Sequence, residues 1–263
     1  MAHIVPCISK GITVSSFYTC REIKLVQGAF RNTIHSHSQI KNKDSVLQCS
    51  TAASTSPSSA AAEQVEEDKH NLVTEFGWRV RRLANNDYEM REVAQLQAQA
   101  FHLPMPFFDD FFFQFFKAEV LAGLLYKLRN SPPDRYACLV ADSSTSESKL
   151  VGVVDVTVLR DDDVLQHLKG AEEYLYISGI AVSQTLRRQK IGSVLLKACD
   201  VISGLWGYEY LVLRAYEEDI GARGLYTKAG YKVVSSDPQW MTWIGRKRRV
   251  LMIKQSNFHS LNL

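Results

Sequence analysis

The chain has 263 residues with 46% hydrophobic residues and a formal net charge of +3, enough length and apolar content for one sizeable core. Residues 1–62 carry six basic and two acidic side chains, which leaves 25 of the 31 basic and 26 of the 28 acidic residues to 63–263, a net charge of −1. This balance argues against a nucleic-acid-binding body, which should be basic, and no apolar run reaches the roughly 18 residues of a membrane span.

Residues 1–62 have the composition of a targeting leader. They are basic, poor in acidic residues and rich in serine and threonine, and they end in the tract STAASTSPSSAAA. Such a segment buries too little apolar surface to offset the entropy of folding, so we expect disorder. Two arginines, the alanine after Met1 and the many serines favour a plastid transit peptide and a location in the chloroplast stroma. The alternative is a plain disordered tail.

The globular pattern follows the leader. We expect a linker at 63–76, one domain at 77–255 and a C-terminal tail at 256–263. The alternating segment 77–84 predicts a first strand. Segment 85–101 predicts a helix, because it opens on asparagines that can cap it and carries acidic residues in its first turn.

Segment 103–134 predicts a second helix, bounded by prolines and unusually aromatic. Seven phenylalanines lie between Phe107 and Phe116, too many for one buried face. One interpretation is core packing with an adjacent lid. The other is an aromatic wall beside a substrate opening, because clusters of exposed aromatic residues mark binding surfaces.

The second half of the chain predicts strands interleaved with helices. Segments 135–142 and 149–159 flank the polar SSTSES and predict a hairpin. Further strands are predicted at 174–182, 208–216 and 248–255, and helices at 189–206 and 220–230. This order predicts an α/β fold with a mixed central sheet and helices on both faces.

The turn LRRQKIGS at 186–193 joins a predicted strand to a predicted helix and has the features of an anion site. Backbone N–H groups without partners converge at a helix start, backed by the positive end of the helix dipole. Arg187, Arg188 and Lys190 add positive charge. Because lysine carries a Cβ, we expect a negative φ at Lys190, with its side chain turned outward toward the phosphates.

Three segments occur in the order YISGIAV (176–182), LRRQKIGS (186–193) and DIGARGLYTKAGY (219–231). In this order and spacing they resemble the GNAT superfamily of acetyl-coenzyme A-dependent N-acetyltransferases, plant plastid members in particular, over about 77–255. Arg187 and Gly192 match the signature Arg/Gln-x-x-Gly-x-Gly/Ala, with Lys190 in place of the first glycine. A second signature, Asn-x-x-Ala-x-x-Leu-Tyr-x-x-x-Gly-Phe, is matched, with Asp for Asn and Tyr for Phe, by Asp219, Ala222, Leu225, Tyr226, Gly230 and Tyr231.

The resemblance implies an acetyl-CoA site without a metal. The sheet should splay between the fourth and fifth predicted strands, 174–182 and 208–216, so that the pantetheine arm lies between them. The implied coenzyme-binding residues are Ile180, Ala181, Val182, Arg187, Arg188, Gln189, Lys190, Ile191, Gly192, Ser193, Asp219, Ile220, Gly221 and Tyr226. Tyr226 is also the implied general acid, a role that a phenol with a pKa of about 10 can fill, and the Ile180 N–H is the implied oxyanion donor.

The sequence leaves the general base open. Where several family members carry a glutamate on the fourth strand, this chain has Tyr176. Glu173, Glu217 and Glu218 are nearby carboxylates, and a water relay through Tyr176 is the other possibility. A weak base would favour α-amines, with a pKa of about 8, over lysine amines, with a pKa of about 10.4.

The implied activity is acetyl transfer to N-terminal α-amines, lysine ε-amines or both, so the implied partners are proteins or peptides with free amines. Two alternatives stay open. One is acetylation of a small amine such as a polyamine or an amino acid, and the other is a silent acetyl-CoA-binding module. The two cysteines after the leader, Cys138 and Cys199, lie in apolar runs and predict buried thiols.

Overall fold

The computed structural model describes residues 71–102, 109–144 and 149–256. The leader, the first part of the expected linker, Phe107 and Phe108, and nearly all of the expected tail lie outside these residues. The strands are β1 (Asn71–Glu75), β2 (Trp78–Arg82), β3 (Tyr136–Ser143), β4 (Gly152–Leu159), β5 (Tyr174–Val182), β6 (Tyr210–Tyr216), β7 (Lys232–Ser236) and β8 (Arg249–Gln255). The helices are α1 (Asp87–Phe101), α2 (Asp109–Asn130), α3 (Asp162–Leu165), α4 (Ile191–Trp206), α5 (Ile220–Lys228) and α6 (Trp240–Trp243), with a 3₁₀ turn at Gln184–Leu186.

The strands form one sheet in the order β1-β2-β3-β4-β5-β6-β8-β7. Every neighbouring pair is antiparallel except β5 and β6, which run parallel. A parallel pair needs a crossover connection, and α4 provides it by linking the end of β5 to the start of β6. The predicted mixed sheet is confirmed.

Helices cover both faces of the sheet, as predicted. Successive residues of β3 show the alternation: Leu139 packs in the cluster that contains α4, whereas Cys138 packs with Met90 and Val93 of α1. The α4 side includes Leu195 and forms the larger cluster. The core therefore consists of two apolar clusters, one on each face of the sheet. The predicted burial of the Cys138 and Cys199 thiols is confirmed.

Several elements differ from the sequence predictions. The linker was expected at 63–76, but Asn71–Glu75 forms β1 and pairs with β2. Only Val73 of β1 is buried, so its pattern is too short to mark a strand. Edge strand β7 was not predicted, since all five of its residues are exposed. The helix expected from 189 begins at Ile191.

None of the helices in the described part of the chain combines the length and apolar character needed to cross a bilayer. The longest, α2, has 22 residues and includes charged residues at both ends. Its phenylalanines divide between the two interpretations of this segment: Phe116 is buried, while Phe111 and Phe115 are exposed.

We predict that Asn86→Ala lowers the free energy of unfolding by about 1 kcal/mol. The Asn86 side chain accepts a hydrogen bond of 2.7 Å from the Glu89 N–H and caps α1. Urea denaturation followed by circular dichroism measures the change. Asn86→Asp is the matched control, because its carboxylate keeps the acceptor. Equal midpoints for all three proteins would show that this cap does not stabilise the fold.

Candidate coenzyme and catalytic site

The parallel strands β5 and β6 pair only over their first halves. The paired residues are Leu175 with Leu211, Tyr176 with Val212, and Ile177 with Leu213. Beyond Ile177 and Leu213 the two strands continue to Val182 and Tyr216 without pairing to each other. The sheet is therefore splayed between the fourth and fifth predicted strands, which are β5 and β6 because β1 precedes them.

The splay begins at a bulge in β5. Two residues of β5, Gly179 and Ile180, lie opposite one residue of β4, Val154. Gly179 has a φ of 61°. A Cβ at this position would also lie 2.7 Å from the side-chain nitrogen of Gln97 and 2.9 Å from Asp155 Oδ2, so glycine avoids both backbone strain and displacement of these buried groups.

A buried polar network holds the bulge. The Gln97 side-chain N–H₂ donates to the carbonyl oxygen of Gly179 at 3.2 Å and to Asp155 Oδ2 at 3.1 Å. Asp155 is 2% exposed and also accepts a 2.7 Å hydrogen bond from the Tyr136 hydroxyl. Lys127 Nζ lies 3.9 Å from the same carboxylate. Because a buried charge is costly without partners, this network fixes α1 against the bulge.

A cavity of about 220 Å³ opens where the strands part. Its lining residues are Gln97, Phe101, Phe116, Val120, Tyr176, Ile177, Ser178, Gly179, Ile180, Leu213, Arg214, Ala215, Tyr216, Asp219, Ala222, Tyr226 and Arg249. They come from both faces of the sheet. Ala215 and Tyr226 pack in the cluster with α4, whereas Tyr176 packs in a cluster on the opposite face. The cavity therefore has walls on both faces of the sheet.

Tyr226 lies on α5 and points into the α4 side of this cavity. Asp219 caps α5, since its side chain accepts a 2.8 Å hydrogen bond from the Ala222 N–H. Tyr226 is 6% exposed and packs edge-on against Tyr231, with ring centroids 6.2 Å apart. Burial, and then the charge of Asp219, raises the pKa of the Tyr226 phenol above its ordinary value. The phenol therefore stays protonated at neutral and mildly alkaline pH and can donate a proton.

The loop before α4 contains two residues in the left-handed conformation. Arg188 has a φ of 68° and Lys190 a φ of 70°. The prediction of a negative φ at Lys190 is wrong: the loop keeps the backbone shape that suits a glycine, and lysine adopts it with strain. Lys190 occupies the N-cap of α4 without a side-chain hydrogen bond to the first turn. The Ser193 N–H donates to the Lys190 carbonyl oxygen at 2.9 Å, which leaves the N–H groups of Ile191 and Gly192 for an anion.

The turn between β1 and β2 holds this loop in place. Trp78 Nε1 donates a 2.8 Å hydrogen bond to the carbonyl oxygen of Gln189. Lys190 Nζ lies 5.9 Å from the centroid of the Phe76 ring, in range of a cation–π interaction. The lysine side chain thus contacts the β1–β2 turn, which differs from the expected direction toward the phosphates. No sequence pattern linked Phe76 and Trp78 to residues more than 100 positions away.

The residues predicted to bind the coenzyme occupy different parts of the site. Ile180, Asp219 and Tyr226 line the cavity. Ala181 is buried on the α1 side, and Val182 pairs with Gly152 at the far end of β5. The others are not among the lining residues and lie at two helix starts: Arg187, Arg188, Gln189, Lys190, Ile191, Gly192 and Ser193 at α4, and Ile220 and Gly221 at α5.

The glycine matched by the first signature serves helix packing. A Cβ at Gly192 would lie 2.9 Å from a methyl carbon of Leu225 on α5. The small residue therefore allows the first turn of α4 to contact α5. Since α5 carries Tyr226, this contact connects the start of α4 to the helix that holds the phenol.

The three candidate glutamate bases do not line the cavity. Each forms an ion pair outside it: Glu173 with Arg135 at 2.6 Å, Glu217 with Arg248 at 2.8 Å, and Glu218 with Lys247. The one carboxylate among the lining residues is Asp219, which caps α5. Tyr176, the alternative named from the sequence, does line the cavity. Within the described ranges, no three His, Cys, Asp or Glu side chains come together as a potential metal site.

Residues 92–231 match the acetyltransferase (GNAT) family. The chain belongs to this family. The matched range runs from α1 to Tyr231, just before β7, and contains the bulge, the α4 start and Tyr226. Family membership makes acetyl-CoA the co-substrate, and it identifies the chain as an N-acetyltransferase.

Two plant relatives are similar in sequence. GCN5-related N-acetyltransferase 10, chloroplastic, from Arabidopsis thaliana is 56% identical over 217 residues, covering 80% of this chain and 84% of the relative. GCN5-related N-acetyltransferase 7, chloroplastic, from the same plant is 26% identical over 78 residues, 29% of this chain and 28% of that one. The first similarity extends well beyond the family signatures.

Among solved structures, Arabidopsis thaliana NAA60 in complex with acetyl-CoA superposes with a TM-score of 0.51 at 16% identity. The superposition covers 68% of this chain and 99% of NAA60. At this identity the similarity shows the shared fold.

We predict that Lys190→Gly raises the free energy of unfolding by about 1 kcal/mol, because glycine adopts the left-handed conformation without strain. Differential scanning calorimetry measures the change. Gln189→Gly is the matched control: Gln189 has no positive φ, so glycine there should destabilise by about 0.5 kcal/mol. Destabilisation by both variants would show that the lysine contacts outweigh the strain.

Proposed function

We propose that this N-acetyltransferase acts on protein amines in the plastid, on N-terminal α-amines, lysine ε-amines or both. The observation that carries the proposal is the position of Tyr226 in a cavity lined from both faces of the sheet. Such a cavity lets the coenzyme and a polypeptide approach from opposite sides. Support for the plastid comes from the leader composition and from the 56% identical chloroplastic relative.

The start of α4 would hold the coenzyme pyrophosphate. Its first turn lacks a side-chain cap, and Arg187 and Arg188, which precede it in the same loop, add positive charge nearby. The edge of β5 from Ile180 to Val182, freed from β6 by the splay, offers backbone groups to the pantetheine arm. When bound, acetyl-CoA supplies an activated acetyl group as a thioester.

The bulge of β5 would stabilise the oxyanion. A bulge interrupts the strand ladder, so the N–H of Ile180 is available to a developing negative charge. Gln97 and Asp155 keep the backbone at Gly179 from moving, so this donor is preorganised. Preorganised donors cost little reorganisation when the charge forms.

Tyr226 would act as the general acid. As the bond between acetyl carbon and coenzyme sulfur breaks, the phenol donates its proton to the sulfur. The raised pKa keeps that proton on Tyr226 at physiological pH. On the other side of the sheet, a water molecule held by the Tyr176 hydroxyl would accept the proton from the acceptor amine. A weak base of this kind favours α-amines, with a pKa of about 8, over lysines.

The acceptor side of the cavity suits a polypeptide better than a polyamine. Phe101, Phe116 and Val120 line it with apolar surface, and its charged residues are Arg214 and Arg249. A polyamine site would be expected to carry carboxylates, and here the one lining carboxylate, Asp219, caps α5.

We predict that Tyr226→Phe lowers kcat by roughly 10²–10⁴-fold, the range for a lost general acid. Acetyl-CoA affinity, measured by calorimetry, should hardly change, because phenylalanine keeps the ring packing against Tyr231. Wild-type kcat should show no fall from deprotonation of this phenol below about pH 10. A variant that turns over at the wild-type rate would remove Tyr226 from the mechanism.

We predict that residues 63–263 with acetyl-CoA acetylate a mixed peptide library, with α-amines modified faster than lysines. Mass spectrometry of the peptides with and without enzyme locates each added acetyl group. Tyr226→Phe is the control for non-enzymatic acetylation. Coenzyme binding without peptide labelling would overturn a protein substrate and leave a small amine or the silent module.

A further inference from the structure

We infer that Arg214 and Arg249 select amine acceptors that carry a carboxylate close to the amine, namely peptides with Asp or Glu next to the acetylated residue. This inference rests on the proposed function and specifies its substrate class. Both arginines line the cavity, and neither belongs to a signature of the family resemblance.

The two arginines lie together on the acceptor side of the sheet. Arg214 lies between Leu213 and Ala215, which both pack in the α4 cluster, so its side chain points to the opposite face. Arg249 precedes Val250 of the same cluster and therefore shares that face. β6 and β8 are paired neighbours, which brings the two guanidinium groups to one wall.

One carboxylate lies beside this pair. Asp237 Oδ1 is 3.9 Å from Arg214, and Asp237 Oδ2 is 3.4 Å from Nε of Arg249. The same Oδ2 already accepts a 3.0 Å hydrogen bond from the Arg249 backbone N–H. Asp237 thus neutralises at most one of two guanidinium groups, and it does not line the cavity.

The arginines keep most of their hydrogen-bonding capacity. Each guanidinium has five N–H donors in a planar fork that matches a carboxylate. In the described residues, Arg214 forms no hydrogen bond closer than its 3.9 Å ion pair, and its side chain is 25% exposed. The unused donors of these partly buried groups face the cavity, where an acceptor carboxylate could bind two of them.

The same charge assists the reaction. Positive charge beside an amine disfavours its protonated form and lowers its pKa. Only the neutral amine attacks the thioester, and no carboxylate base lines the acceptor side. The arginine pair would therefore increase the neutral fraction of the bound amine, while a carboxylate on the acceptor offsets the repulsion that binding a cation would meet.

The test compares kcat/KM for three C-terminally amidated peptides that differ at positions two and three: Asp-Glu, Ala-Ala and Lys-Lys. We expect the acidic peptide to exceed the basic one by at least about tenfold, and the gap to narrow as salt increases. Arg214→Gln and Arg249→Gln should each reduce the ratio of kcat/KM between the acidic and the basic peptide about threefold or more. The kcat/KM for the Ala-Ala peptide should change less. Asp237→Asn should widen the gap.

Two further measurements separate selectivity from folding. Arg135→Gln is the matched control, because Arg135 also forms an ion pair, with Glu173, and does not line the cavity. It should leave the ratio unchanged. In the Arg214→Gln and Arg249→Gln variants, the acid limb of the kcat–pH profile should move to higher pH, since the bound amine loses its positive neighbours.

The outcomes are distinguishable. Acetylation of all three peptides at equal kcat/KM would overturn the inference and leave the proposed function in place. Acetylation of free aspartate but of no peptide would support charge selection and overturn the protein substrate. Acetylation of none of these acceptors would overturn both.

Discussion

The hydrogen bonds from Gln97 to Gly179 and Asp155 are the interaction on which the site depends. They join α1, β4 and the β5 bulge, three elements from distant parts of the sequence, in one buried network. The bulge lies just beyond Ile177, the last residue of β5 that pairs with β6, and the cavity opens where that pairing stops. A sheet with continuous pairing at this point would have no path from one face to the other.

Apolar packing on both faces of the sheet offsets the loss of pairing between β5 and β6. The α4 face contributes a large apolar cluster that includes the Tyr226 ring, and α1 and α2 cover the other face over β3 and β4. The strained loop at Arg188 and Lys190 is held by the β1–β2 turn. Strain at a binding loop persists only where surrounding contacts maintain it, and Phe76 and Trp78 provide those contacts.

The electrostatics of the two faces differ in a way that suits their partners. On the α4 face, Arg187 and Arg188 shortly precede the uncapped helix start, where an anionic pyrophosphate would bind. On the acceptor face, Arg214 and Arg249 lie near one carboxylate, so that wall stays positive. Positive charge on both faces would favour the neutral form of the acceptor amine. Acidic residues next to that amine in the acceptor would restore the affinity of the acceptor for this positive site.

The sequence by itself determined the main elements and the chemistry of the α4 face. The period of apolar residues gave the strands and helices, and the spacing from Arg187 to Tyr231 identified the family, because both depend on local order along the chain. It could not reveal the left-handed φ of Lys190 or the hydrogen bond from Trp78 to Gln189. It also could not reveal β1 and β7, whose residues carry little apolar pattern. The bulge network and the arginine pair were decided by tertiary structure alone, since they join residues on separate strands and helices whose register only the folded sheet sets.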